Sequence, residues 1–135
     1  MSQMAHAVGK TNEERKYNEL FEKIKAAFNQ AYVHPDGFVG GVPPPPVFAS
    51  GTAKPLSDKP VETQTGYVLA IHMNLLPDSL RSVAATRLVD RLEANQWRLG
   101  TGFLGTPYLL SALTDTGHAD VAYRLLLNTE YPSWG

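Results

Sequence analysis

The residues best suited to chemistry lie in two Gly/Thr-rich segments, Glu62-Thr-Gln-Thr-Gly66 and Leu99-Gly-Thr-Gly-Phe-Leu-Gly-Thr106, and in the aromatic stretch Tyr131-Pro-Ser-Trp-Gly135. Glycine lets a backbone come close to a ligand. Gln64, Thr65 and Thr101 supply hydrogen-bonding groups, while Tyr67, Phe103, Tyr131 and Trp134 supply flat apolar faces. Such a mixture suits a neutral, polyhydroxylated ligand: aromatic faces stack on sugar C–H faces, and amides and hydroxyls bond its oxygens. A plainer role fits the same residues, with the glycines capping helices and the aromatics filling gaps.

Other chemistries find little support. Glu62 and Glu130 flank the Gly/Thr-rich and aromatic segments and are the carboxylates placed to face a pocket. Asp90 and Glu93 fall on a polar helix face, and Asp78, Asp115 and Asp120 fall at helix starts or turns, where capping and the helix dipole account for acidic residues. Of the four histidines, only His72 lies within an apolar helix, and a core histidine bonded to a neighbour is expected. No His/Asp/Glu grouping has metal-ligand spacing, and the absence of cysteine removes thiolate sites and disulfides. Gly100 to Gly105 spell G-x-G-x-x-G, but no strand precedes them, so the dinucleotide reading fails on context. The 12 basic and 13 acidic residues nearly cancel and form no patch, which argues against nucleic acid and anionic membrane surfaces. No apolar run reaches membrane-spanning length, and the first ten residues lack the basic-then-apolar pattern of a secretory signal.

The elements that must position these residues read as helices. Residues 2–8 resemble the tail of a helix ended at Gly9. Thr11-Asn-Glu-Glu14 reads as a capping box, and Tyr17, Leu20, Phe21, Ile24, Ala27, Phe28 and Ala31 then recur at helical steps until the turn His34-Pro-Asp-Gly37. Residues 38–60 are rich in proline and glycine and read as an insertion or linker, with Pro43 to Pro46 favouring polyproline II. Four more helices follow, at about 66–76, 78–95, 107–113 and 119–128. The first and third carry few charges. The second shows a stripe of Leu80, Val83, Ala84, Leu88 and Leu92, and the fourth turns Val121, Ala122, Leu125 and Leu126 inward.

These helices form a repeat. Thr65-Gly-Tyr67 opens an apolar run followed by Pro77-Asp78 and a helix with Arg87-Leu88. Thr101-Gly-Phe103 opens another, followed by Thr114-Asp115 and a helix with Arg124-Leu125. The offset is about 36 or 37 residues, within the range of repeat architectures. Buried helices alternate with amphipathic ones, and short turns make neighbours antiparallel. The pattern predicts an all-α fold of antiparallel hairpins in an inner and an outer layer, with the Gly/Thr-rich loops together at one rim. The aromatic loop at residues 131–135 looks as though it should feed another element, so the chain reads as a piece of something larger.

Gln64-Thr-Gly-Tyr-Val-Leu-Ala-Ile-His-Met, the Leu99-to-Leu110 segment and Ala122-Tyr-Arg-Leu-Leu-Leu-Asn-Thr-Glu-Tyr-Pro-Ser-Trp-Gly together resemble the catalytic domain of bacterial α-L-rhamnosidases, glycoside hydrolase family seventy-eight. The resemblance covers most of residues 1–135, apart from the proline-rich stretch, which departs from the shorter connection expected. It implies an (α/α)6 barrel, a toroid of two concentric rings of helices, of which this chain supplies a part. It implies removal of terminal α-L-rhamnose without a cofactor, by an inverting mechanism. One carboxylic acid protonates the glycosidic oxygen and a second carboxylate activates a water, about 6.5–9.5 Å away.

By the same resemblance, the general acid lies upstream of the matched region and the general base follows the Tyr-Pro-Ser-Trp-Gly loop. No catalytic residue is therefore expected in this chain, and the chain alone should be inactive. Gln64, Thr65, Tyr67, Thr101, Phe103, Tyr131 and Trp134 would contribute to the sugar pocket, with a rhamnoside as the partner of the longer enzyme. With part of the ring missing, the uncovered apolar helices should drive self-association. Two alternatives stand beside this: another glycosidase or lyase on the same barrel, and a non-catalytic helical-repeat module that binds protein partners.

Overall fold

The structure, a computed structural model, describes residues 1–42, 57 and 59–134. The polyproline reading of Pro43 to Pro46 lies outside the described residues. The chain divides into two compact units, Met1–Ala31 and Tyr32–Gly135.

In the first unit, α1 (Ser2–Ala7) leads through a tight turn into α2 (Thr11–Tyr32). Gly9, at φ +70°, closes α1, with Gly9 N donating to His6 O and Lys10 N to Ala5 O. That bond pair is a Schellman stop, which needs a left-handed residue after the cap. The capping box is not formed. Thr11 is already helical, Glu14 N donates to Lys10 O, and the Glu14 carboxylate lies 3.1 Å from His6 Nδ1 instead of reaching back to Thr11. The apolar face of α2 matches the predicted period, yet Leu20 and Ile24 are each 50% exposed.

The second unit opens with the expected turn. Gly37 (φ +79°) donates to His34 O, and Phe38 O accepts from His34 N. A Cβ at Gly37 would sit 2.6 Å from Val83 Cγ1, so only glycine fits. The supposed linker is anchored at both ends. Val39 is buried, and β1 (Gly40–Gly41) pairs antiparallel with β2 (Val61–Glu62), joining Gly40 to Glu62 and Gly41 to Val61. The segment thus leaves and returns through a narrow neck. Two arginines one turn apart on the following outer helix hold that neck: Arg87 bonds the Asp36 carboxylate at 2.7 Å and Arg91 bonds Glu62 at 2.7 Å.

Four helices follow: α3 (Gln64–His72), α4 (Asp78–Ala94), α5 (Gly102–Thr114) and α6 (Ala119–Leu126). The α3 helix ends at His72 rather than near Leu76 because Asn74 turns left-handed at φ +55°, with Leu75 N donating to Ala70 O. Gln96 (φ +57°) stops α4 the same way and Gly117 (φ +86°) stops α5. The α5 helix starts at Gly102, five residues before the predicted start at Pro107. Thr106 Oγ1 donates to Gly102 O, so the Thr101 hydroxyl donates to Thr106, and this pair of side chains secures the first turn ahead of Pro107.

Helix α3 packs on both α4 and α5, and α5 packs on α6. Tyr67, Val68, Ile71, Leu88, Leu92, Leu109, Leu113 and Leu125 form the core. Each buried leucine there stabilises the fold by about 1.5–3 kcal/mol relative to its exposed state. Two predicted inward residues differ. Val83 is turned toward Gly37 and Ala85 takes its place in the core, while Leu126 is 46% exposed at the end of α6. Among the described residues, no helix is long and apolar enough to cross a membrane.

Candidate functional site: the rim of the inner helices

The loops that enter α3 and α5 lie against each other in register. Gln64 is buried, and its amide bridges the two: Oε1 accepts from Gly100 N at 2.6 Å and Nε2 donates to Arg98 O at 3.3 Å. Thr65 Oγ1 donates to Thr101 O at 2.6 Å. At the far end of α3, His72 stacks on Tyr108 midway along α5, with ring centroids 4.3 Å apart. Gln64 with Gly100 and Thr65 with Thr101 are each separated by 36 positions, the repeat offset, and the His72–Tyr108 pair keeps that spacing. The inner helices therefore run parallel, and equivalent residues of successive hairpins bond to one another. Gly105 permits the close approach: a Cβ there would lie 3.0 Å from Thr101 Cβ and 3.3 Å from Thr65 Cα.

The predicted site residues fall into two groups. Gln64, Tyr67 and Thr101 are buried and Thr65 is partly so, whereas Phe103 is 93% exposed, Tyr131 88% and Trp134 37%. Tyr67 is the one expected aromatic face that is closed off. It is fully buried, it accepts from Val39 N at 3.4 Å, and its hydroxyl donates to Glu62 Oε2. Burial, reinforced by the hydrogen bond to Glu62 and that carboxylate's charge, pushes the Tyr67 phenol up to about 12. Glu62 also accepts from Arg91 at 2.7 Å, so the carboxylate is tied on two sides.

The aromatic loop is held to the α4–α5 connection. Leu99 N donates to Pro132 O at 3.0 Å, Asn128 Nδ2 donates to Trp97 O at 2.9 Å, and Arg98 pairs with Glu130 at 3.3 Å. Trp97 adopts φ +60°, rare for a bulky side chain, and the Arg124 guanidinium lies 3.8 Å from its ring centroid. Trp97, Arg98, Arg91 and Arg124 carried no local sequence signal as rim supports. Only the repeat offset marks Gly100 as the partner of Gln64. His72 is not the core histidine expected. It is exposed, because α3 ends there and leaves its ring at the edge against Tyr108. Among the described residues, no three His, Asp or Glu side chains converge as metal ligands would.

A paired-hairpin array with a Gly/Thr and aromatic rim has close counterparts. The family model described as the bacterial α-L-rhamnosidase six-hairpin glycosidase domain matches residues 1–135. The chain belongs to this family. It is 48% identical over 134 residues to an α-L-rhamnosidase of Streptomyces avermitilis, covering 99% of the chain and 11% of that relative. An α-L-rhamnosidase of Formosa agariphila is 33% identical over 130 residues, covering 96% of the chain and 12% of that relative. The fold superposes on the crystal structure of the Streptomyces avermitilis enzyme complexed with L-rhamnose at a TM-score of 0.76 and 47% identity, covering 99% of the chain and 11% of that one. The Aspergillus terreus enzyme matches at a TM-score of 0.77 and 30% identity, covering 98% and 13%. The chain thus spans about a ninth of the length of these relatives, and its hairpins are a part of the family's α/α toroid.

Proposed function

We propose that residues 1–135 form part of the catalytic domain of a longer enzyme that removes terminal α-L-rhamnose by inverting acid/base hydrolysis. The observation that carries this reading is the 48% identity to the Streptomyces avermitilis α-L-rhamnosidase over nearly the whole chain. The chain supplies rim rather than reacting groups. Phe103, Tyr131 and Trp134 offer the open aromatic faces, and Gln64, Thr65, Tyr67 and Thr101 hold the loops that present them. The carboxylates at this rim are committed elsewhere, Glu62 to Tyr67 and Arg91, and Glu130 to Arg98. The general acid and base come from outside the chain.

The test is release of nitrophenol from an aryl α-L-rhamnoside. The full-length protein is expected to turn it over in preference to other aryl glycosides, and the purified chain is expected to be inactive. Turnover by the chain alone, or preference of the full-length protein for another sugar, contradicts the proposal.

A further inference from the structure

Beside the aromatic rim, Glu62, Thr63, Gln64, Arg91, Asn95 and Gly100 line a cavity of about 330 Å³, between the loop entering α3 and the end of α4. We propose that this cavity is a second, hydrogen-bonding subsite for a neutral polyol, such as a sugar residue of the substrate other than the one cleaved. The inference rests on the carbohydrate reading above and extends it beyond the aromatic faces to Thr63, Asn95 and Gly100.

Size and chemistry select the ligand. The volume lies at the lower end of the roughly 300–1,000 Å³ range of small-molecule sites. The seven lining residues, Ala94 of α4 being the seventh, include a carboxylate, a guanidinium, two primary amides and a hydroxyl, with no aromatic ring to stack on. Glu62 and Arg91 lie 2.7 Å apart, so their charges cancel at the wall. A bound anion would be opposed by Glu62 and a bound cation by Arg91, whereas hydroxyl groups both donate to the carboxylate and accept from the guanidinium.

The wall is also set before any ligand arrives. Gln64 is fixed by Gly100 N and Arg98 O, Asn95 Nδ2 donates to Arg98 O at 2.8 Å, and Thr63 Oγ1 accepts from Gly66 N at 3.0 Å. Each of these anchors leaves a further donor or acceptor on the same side chain, and groups held in place spend less ordering entropy on binding. Gly100 completes the floor. A Cβ there would come within 3.1–3.3 Å of the Gln64 amide and crowd it.

The experiment is a titration of the full isotope-labelled chain with L-rhamnose, followed by amide NMR, with inorganic phosphate and magnesium as charged controls. L-rhamnose is expected to shift the Gln64 and Asn95 side-chain amides and the Gly100 N–H. Asn95→Leu removes one wall amide, and Ala94→Phe plugs the cavity from the exposed end of α4 without breaking a bond. Each should weaken that binding by about tenfold or more with the helical circular dichroism unchanged. Shifts confined to Tyr131 and Trp134 would overturn the subsite while leaving the aromatic rim standing. Equal or larger shifts with phosphate or magnesium would overturn the neutral-ligand assignment, and silence of the cavity amides toward L-rhamnose would overturn the subsite.

Discussion

The Gly100 N–H donates to Gln64 Oε1 at 2.6 Å, and these two residues hold the same place in successive hairpins. The bond recurs one residue on, where Thr65 Oγ1 donates to Thr101 O. An array built this way keeps its inner helices in register through polar contacts at the rim, with the core below supplying most of the stabilisation. Gln64→Ala takes the part-buried acceptor from Gly100 N–H and one of two donors from Arg98 O, which keeps its bond from Asn95 Nδ2. Chemical denaturation of the chain should show a loss of about 1–3 kcal/mol. Gln64→Glu should also lose stability, because it keeps the acceptor for Gly100 N–H but sets a carboxylate oxygen against Arg98 O.

Gly105 tests how tightly the inner helices approach. Valine there places its Cβ against Thr101 Cβ at 3.0 Å and Thr65 Cα at 3.3 Å, with two methyl groups beyond. Overpacking of this kind costs about 1–3 kcal/mol. Gly102 has nothing within 4 Å but sits at φ +57°, so Gly102→Ala should cost about 1 kcal/mol through the backbone alone. Unfolding midpoints of the two variants separate close packing from conformational strain.

Much of this was legible from residue order, and the failures share one cause. Hydrophobic period located α2 and α4 closely, and Gly9 marked the stop of α1. Asn74 and Gln96 make the same left-handed stop without being glycine, so the predicted end of α3 at Leu76 falls four residues late. Two-residue strands have no period to read, which hid the pairing of Gly40–Gly41 with Val61–Glu62. At the rim, residue type picked out the open aromatics Phe103, Tyr131 and Trp134, but the burial of Tyr67 depends on Val39 and Glu62 arriving from the neck. The tie between Glu62 and Arg91 spans 29 positions and follows from how the chain closes, which no local pattern encodes.

Tyr67 makes stability fall in alkali. Its phenol titrates near 10 in the unfolded chain and is pushed up to about 12 in the folded one, so between these values the native state holds a proton that the unfolded state has lost. The stabilisation is fully present below pH 10 and disappears as pH rises through 12, a loss of about 2–3 kcal/mol in total. Tyr67→Phe removes this slope. Denaturation midpoints of the wild-type chain and Tyr67→Phe, compared from neutral pH into this range, should converge as pH rises, once the shared titration of other groups is subtracted.

Helices α5 and α6, with the residue that ends α6, leave large apolar side chains in water. Phe103 is 93% exposed, Leu104 67%, Tyr123 67% and Leu127 76%. Exposed apolar area carries about 25 cal/mol per Å² of drive toward burial, so the isolated chain should self-associate. Light scattering should give a mass that rises with concentration and falls back when Phe103 and Leu104 are replaced by serine and glutamine. A monodisperse monomer at high concentration contradicts this.

The account turns on the aromatic rim meeting the sugar. The most direct measurement is kcat/KM for an aryl α-L-rhamnoside with the full-length protein carrying Trp134→Ala, beside the unaltered protein. Loss of one stacked face and its burial should lower kcat/KM by about tenfold to a hundredfold while the fold is kept. An unchanged kcat/KM would contradict the placement of the sugar at this edge of the hairpins.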